Sequence, residues 1–105
     1  SRWWSSVTPV FLPGFDDGKQ PKAEKLFLTA ARQAGLALDY ISELTLRKAP
    51  FWPGSQHPSQ YFLPSYLKGK PGWHVGLVFR EPVAGPLAVG AGRHVGLGLF
   101  AANNA

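Results

Sequence analysis

Residues 21–34, PKAEKLFLTAARQA, form the clearest run in the chain whose apolar positions recur at helical spacing. Ala23, Leu26, Phe27, Ala30, Ala31 and Ala34 fall on one face, and Lys22, Lys25, Thr29 and Arg32 point away from it. Pro21 suits the first helical position, Glu24 the first turn, and Gly35 supplies a stop. One helix of this length cannot bury the remaining apolar residues by itself. The rest of the core must come from strands, which makes the expected class α+β.

The strand signals are periods of two. SVTPVFL (6–12) reads as a first strand, although Pro9 has no N–H to give to a ladder. A polar loop, PGFDDGKQ, leads from it into the helix. LDYISELTL (38–46) alternates with Leu38, Tyr40, Leu44 and Leu46 on one side. WHVGLVFR (73–80) places Trp73, Val75, Leu77 and Phe79 inward and His74, Gly76, Val78 and Arg80 on the other face. VGLGLF (95–100) reads as the last strand, with Val95, Leu97 and Leu99 opposite Gly96 and Gly98. Residues 50–72 hold five prolines, several aromatics and no period, the mark of a long connection with a task of its own. The order is β-α-β-β-β, with EPVAGPLAVG where a second helix would stand. This nearly matches a ferredoxin-like, RRM-like βαββαβ domain with a reduced second helix and a C-terminal Gly-rich loop. At 105 residues the chain (1–105) makes a single domain with one modest core. In that architecture one sheet face packs on the helices and the other is open.

Charge narrows the partners. Eleven Lys and Arg against six Asp and Glu give a net charge of +5, which favours polyanions. No basic amphipathic helix of membrane type is present, so nucleic acid ranks ahead of a membrane surface and no membrane partner is expected. Only 16% of residues are charged, so part of the surface is expected to be covered by a partner or by more of the same polypeptide. The absence of cysteine excludes disulfides, thiolate metal sites and thiol nucleophiles, and fits the cytoplasm. Three histidines spaced 17 and 20 apart, with no HExxH helix, argue against a zinc site. GAGRHVG is not a dinucleotide fingerprint and no GK[ST] follows it, so neither a metal nor a cofactor is expected.

GPLAVGAGRHVGLGLF (85–100), together with SVTPVFLPG, EKLFLTAARQAG, PFWPG and WHVGLVF, resembles the C-terminal part of the CRISPR repeat-associated RNA-binding superfamily. Within it the chain is most similar to the type I-U/I-G subunit that fuses a Cascade backbone module to a guide-RNA-processing module. The similarity spans nearly all 105 residues, and the Gly-rich ending is its most specific part. Members are longer, with another ferredoxin-like domain ahead of this region. The resemblance therefore implies that the chain is the C-terminal part of a longer protein, whose N-terminal domain and other Cascade subunits are its protein partners. It further implies metal-independent endonucleolytic processing of CRISPR repeat RNA: a ribose 2′-hydroxyl attacks the adjacent phosphate, leaving a 2′,3′-cyclic phosphate and a 5′-hydroxyl. The product crRNA stays bound.

Such a reaction needs a base at the 2′-hydroxyl, an acid at the leaving oxygen and donors for the phosphorane charge. His94, beside Arg93 within the glycine loop, is the first candidate for acid or base. His74 shares its strand face with Arg80, and His57 lies in the long loop near Lys68 and Lys70 in sequence. Gly90, Gly92, Gly96 and Gly98 would admit an RNA backbone closely, because no Cβ stands in the way. Tight internal packing demands the same residue type. Arg47 and Lys48 at the end of the second strand, Lys68, Lys70, Arg80 and Arg93 are candidate phosphate contacts. Trp52, Tyr61 and Tyr66 are candidates for stacking on unpaired bases, or for the small core beneath the long loop. The alternatives are a non-catalytic crRNA-binding scaffold and, third, a small-molecule-binding domain, which leaves the basic charge without a purpose.

Overall fold

In the computed structural model, which describes residues 1–14 and 16–103, strand β4 (Gly72–Phe79) is the line about which the sheet is laid. Its positions Trp73, Val75, Leu77 and Phe79 are all buried, as the alternation requires. Along one edge it pairs with β3 (Ile41–Arg47), from Ile41 opposite Phe79 to Arg47 opposite His74. Along the other edge it pairs with β1 (Trp3–Ser6) and, nearer its own start, with the two-residue β2 (Val10–Phe11). β1 pairs in turn with β6 (Leu99–Asn103), and β6 with the short β5 (Leu87–Ala88). The sheet therefore runs β3-β4-β1-β6-β5 with every neighbour antiparallel.

Helix α1 (Gln20–Gln33) lies on one face of this curled sheet. Ala23, Phe27, Ala30 and Ala31 are buried in one cluster with Leu46, Val75, Leu77, Phe79 and Phe100. The Phe27 and Phe100 rings meet at 6.5 Å in a tilted pair. The helix opens at Gln20, so Glu24 falls just past the first turn. The Asp16 and Asp17 carboxylates accept from the Gly18 and Lys19 amides and shape the approach to the helix. Phe15 of the same loop lies outside the described residues. A second, smaller cluster of Phe11, Leu67 and Leu97 sits under the long connection.

Three strand expectations need correction. The first strand runs over Trp3–Ser6, not 6–12, and is separated from β2 by a bend. Pro9 cannot continue a ladder, and the Val7 and Thr8 amides both turn to the Leu99 carbonyl. In β3 an irregularity between Ile41 and Glu43 shifts the register, so Ile41 packs on the core and Tyr40 ends a 3-10 turn, exposed. The last strand begins only at Leu99. Residues 93–95 form a 3-10 turn, Gly96 and Gly98 have positive φ, and Leu97 enters the second cluster while Val95 and Leu99 are exposed. The segment between β4 and β6 contains no α-helix, as EPVAGPLAVG suggested. No helix among the described residues is long and apolar enough to cross a membrane.

Candidate nucleic-acid interface

His74 lies on the sheet face opposite the helix, as the alternation predicts, but that face is closed above it. Its ring is 0% exposed. The Nε2 is 2.7 Å from the Gln56 carbonyl, which can only accept, so the proton belongs on Nε2. Nδ1 then accepts from Ser6 Oγ at 3.1 Å, while that hydroxyl accepts from the Val75 amide. In this tautomer every member of the chain has a donor or an acceptor. The open sheet face expected around His74 is covered by residues 51–56: Trp52 Nε1 donates to the Ser5 carbonyl, and Phe51 leans over Gly76. His74 thus ties the long connection to the sheet, with no ring nitrogen left for a substrate.

The glycine loop is built largely around the protein's own backbone. A Cβ at Gly90 would stand 2.5 Å from the Phe11 carbonyl oxygen, and one at Gly98 would collide with the Val89 carbonyl oxygen. At Gly92 it would meet the Leu97 and Leu67 side chains. Gly96 differs: its φ of +82° favours glycine, but the space beside it is open. Arg93 folds back so that its guanidinium donates to the Gly90 carbonyl at 3.2 Å. His94 is exposed on the 3-10 turn, and its ring makes no hydrogen bond among the described residues. The sequence expectation of imidazole, guanidinium and free amides gathered at one point is met only by His94 and Gly96 at the surface.

Convergence occurs elsewhere. Lys48, His57, Ser59, Lys70, Gly72 and Phe11 line one cavity of about 280 Å³ at the start of β4. Lys48, just past β3, sends its ammonium across to the Gly72 carbonyl and over the Trp73 ring, 3.9 Å from the centroid. Burial pushes this ammonium below its ordinary value, opposed by the nearby Asp16 carboxylate. Asp16 is itself held by the Trp73 indole N–H at 2.9 Å. His57 caps the turn Pro58–Gln60: its Nδ1 accepts from the Ser59 amide at 3.1 Å, which places the neutral ring's proton on Nε2. That Nε2–H has no partner among the described residues. Lys70 reaches the Gly14 carbonyl at 3.5 Å, at the long limit of a hydrogen bond. Two lysines and a histidine lining one cavity are a donor set matched to an anionic oxygen.

The other basic candidates are scattered. Lys68 is exposed beside Gly69, which lines the same cavity. Arg47 is stacked on Phe51 at 3.7 Å, with donors to the Ala49 and Pro50 carbonyls. Arg80 donates to the Asp39 carbonyl at the far end of β4. Of the aromatic candidates, Trp52 is bound to Ser5, Tyr61 packs on the second cluster, and Tyr66 is exposed. Sequence reading missed the roles of Ser59 and Trp73. The His-Pro-Ser run at 57–59 carried a local sign of the first, since a side chain that caps a turn two residues on is a short-range motif. No group of His, Cys, Asp or Glu able to hold a metal occurs among the described residues. No family model, curated protein or solved structure matches the chain.

Proposed function

We propose that this chain is a ferredoxin-like RNA-binding domain that grips a phosphate of CRISPR repeat RNA in the Lys48–His57–Lys70 cavity and belongs to a crRNA-processing subunit of Cascade. The observation that carries the reading is that those three residues, the two ends and the middle of the connection between β3 and β4 in a +5 chain, line one cavity. The fold part of the proposal is supported by the strand order β3-β4-β1-β6, which is the order of a split βαβ pair with its second helix removed. The family part rests on the resemblance carried by residues 85–100 and the four shorter runs.

In the cleavage step, the 2′-hydroxyl passes its proton to a solvent water as its oxygen attacks the neighbouring phosphorus, and the 5′-oxygen leaves and takes up a proton, so one P–O bond forms and one breaks. The ammonium groups of Lys48 and Lys70 oppose the charge that grows on the phosphorane. In this reading His57 Nε2–H, with Nδ1 occupied by the Ser59 amide, is the donor for an oxygen of that phosphate or for the leaving oxygen. The second reading is a scaffold that holds crRNA without cutting it. It is favoured by the histidine arrangement: His74 has both nitrogens engaged, and the Nδ1 of His57 is already an acceptor for Ser59.

Incubation with repeat RNA in EDTA separates these outcomes. A product ending in 2′,3′-cyclic phosphate supports the nuclease, and a mobility shift without product supports the scaffold. RNA that neither shifts nor breaks refutes the proposal.

A further inference from the structure

The uncovered part of the sheet face opposite the helix carries a second cavity, of about 270 Å³. The register fixes what surrounds it. Thr45, Gly76 and Ser5 form one row across β3, β4 and β1, and Glu43, Val78, Trp3 and Asn103 form the next row, extending onto β6. Phe51, from the long connection, directs the tip of its ring at Gly76: a Cβ there would lie 3.1 Å from the ring's terminal carbon. One face of that ring is taken by the Arg47 guanidinium, 3.7 Å from the centroid. Arg47 pairs with His74, away from the Glu43 row, and does not line the cavity. Phe51 itself lines the cavity, and its second ring face carries no stacking partner among the described residues. Trp3, 47% exposed on β1, stands across it.

We infer that this cavity takes one unpaired guanine base of the bound RNA, stacked on the free face of Phe51 and read by the carboxylate of Glu43. Resting on the RNA-binding reading above, the inference adds base specificity at a site separate from the phosphate cavity. The occupant follows from three features. An aromatic face with a guanidinium already on its other side forms a stacking platform, and a base completes the Arg-aromatic-base pile. A sheet face bearing aromatics is a known kind of platform for splayed single-stranded bases. An ionised carboxylate only accepts, and guanine offers N1–H and N2–H side by side, whereas uracil offers one ring N–H and adenine and cytosine an exocyclic amine alone. Asn103 accepts from Ser5 Oγ through its Oδ1 at 2.8 Å, which leaves its NH₂ as a donor on the cavity's far edge, the polarity that guanine's O6 or N7 requires. Arg47 Nη1, which has no hydrogen-bond partner among the described residues, is a donor for the flanking phosphate.

The test is equilibrium binding of six-nucleotide RNAs, all uridine or uridine with one central guanosine, adenosine or cytidine, over a range of salt. The wild type should bind the guanosine oligomer about tenfold or more tightly than the others, the scale of one stacked and bidentate contact. Glu43→Gln should erase the preference for guanosine. Phe51→Leu, which keeps the apolar cover over Gly76, should weaken the guanosine oligomer by a similar factor. Circular dichroism and thermal melting establish that both variants are folded. A wild type that binds every oligomer equally, with affinity still falling with salt, overturns this inference alone, as does a guanosine preference that survives Glu43→Gln. A wild type that binds no RNA at any salt overturns the RNA-binding reading and this inference with it.

Discussion

Replacing His74 by Ala should unfold the protein more readily, and should do so for reasons unrelated to chemistry on RNA. The ring is fully buried and spans two segments far apart in the chain, donating to Gln56 and accepting from Ser6. Truncation leaves the Gln56 carbonyl without its donor and the Ser6 hydroxyl without its acceptor, each costing about 1 kcal/mol or more if water cannot reach it. The cavity left by the ring adds to this. Together these give a destabilisation of about 2–4 kcal/mol. For a domain of this size that is a fall in Tm of about 10–20 °C. Urea unfolding followed by tryptophan fluorescence measures it directly, since Trp52 is bonded to Ser5 beside Ser6 and Trp73 precedes His74 in β4. Because Gln56 precedes His57, the variant should also loosen the turn that sets the His57 ring. A variant as stable as the wild type, within about 0.5 kcal/mol, would refute the structural assignment and return His74 to the catalytic candidates.

Gly96 and Gly98, two of the positive-φ glycines of the glycine loop, should respond differently to the same change. Gly98→Ala drives a Cβ into the Val89 carbonyl and should cost about 2 kcal/mol or more, whereas Gly96→Ala meets open space and should cost about 1 kcal/mol from φ alone; thermal melting of both decides it. Lys48 carries a folded-state proton affinity lowered by burial, so between its folded value and the ordinary 10.5 the unfolded chain binds more protons and stability rises with pH. Lys48→Met should remove that rise, seen as a smaller gain in unfolding free energy than the wild type shows as pH rises toward 10.5. His57→Ala should slow cleavage of repeat RNA in EDTA by about 10²-fold or more with little change in affinity, and His94→Ala should do neither; the reverse pattern in single-turnover assays moves the acid or base role to the glycine loop.

The helix and β4 were legible because their signals are local. Pro21, Gly35 and a 3.6-residue stripe delimit α1 to within a residue, and strict alternation fixes which side chains of β4 are inside. The start of β1 was hidden because Trp3 and Trp4 gain strand character only by pairing with β4 and β6, at the other end of the chain. The Ile41/Glu43 irregularity leaves no trace in a period-two count, which therefore chose Tyr40. Glycines at alternate positions mimicked a strand in 95–98, and the turn rests on long-range packing, of Leu97 against Phe11 and Leu67 and of Gly98 against the Val89 carbonyl. The same limit applies to the phosphate cavity. Lys48, His57 and Lys70 were each singled out by charge or chemistry, yet what joins them is the return of the long connection to the start of β4.

The salt dependence of RNA binding tests the central claim most directly. The logarithm of affinity for a single-stranded repeat RNA should fall linearly with the logarithm of salt, with a slope of about −0.7 for each phosphate neutralised. Lys70→Ala removes one cationic wall of the cavity and should flatten that slope by about 0.7, while Lys25→Ala on the exposed face of α1 should leave it unchanged. An equal slope for the wild type and Lys70→Ala, or equal flattening by both variants, contradicts a phosphate site in the Lys48–His57–Lys70 cavity.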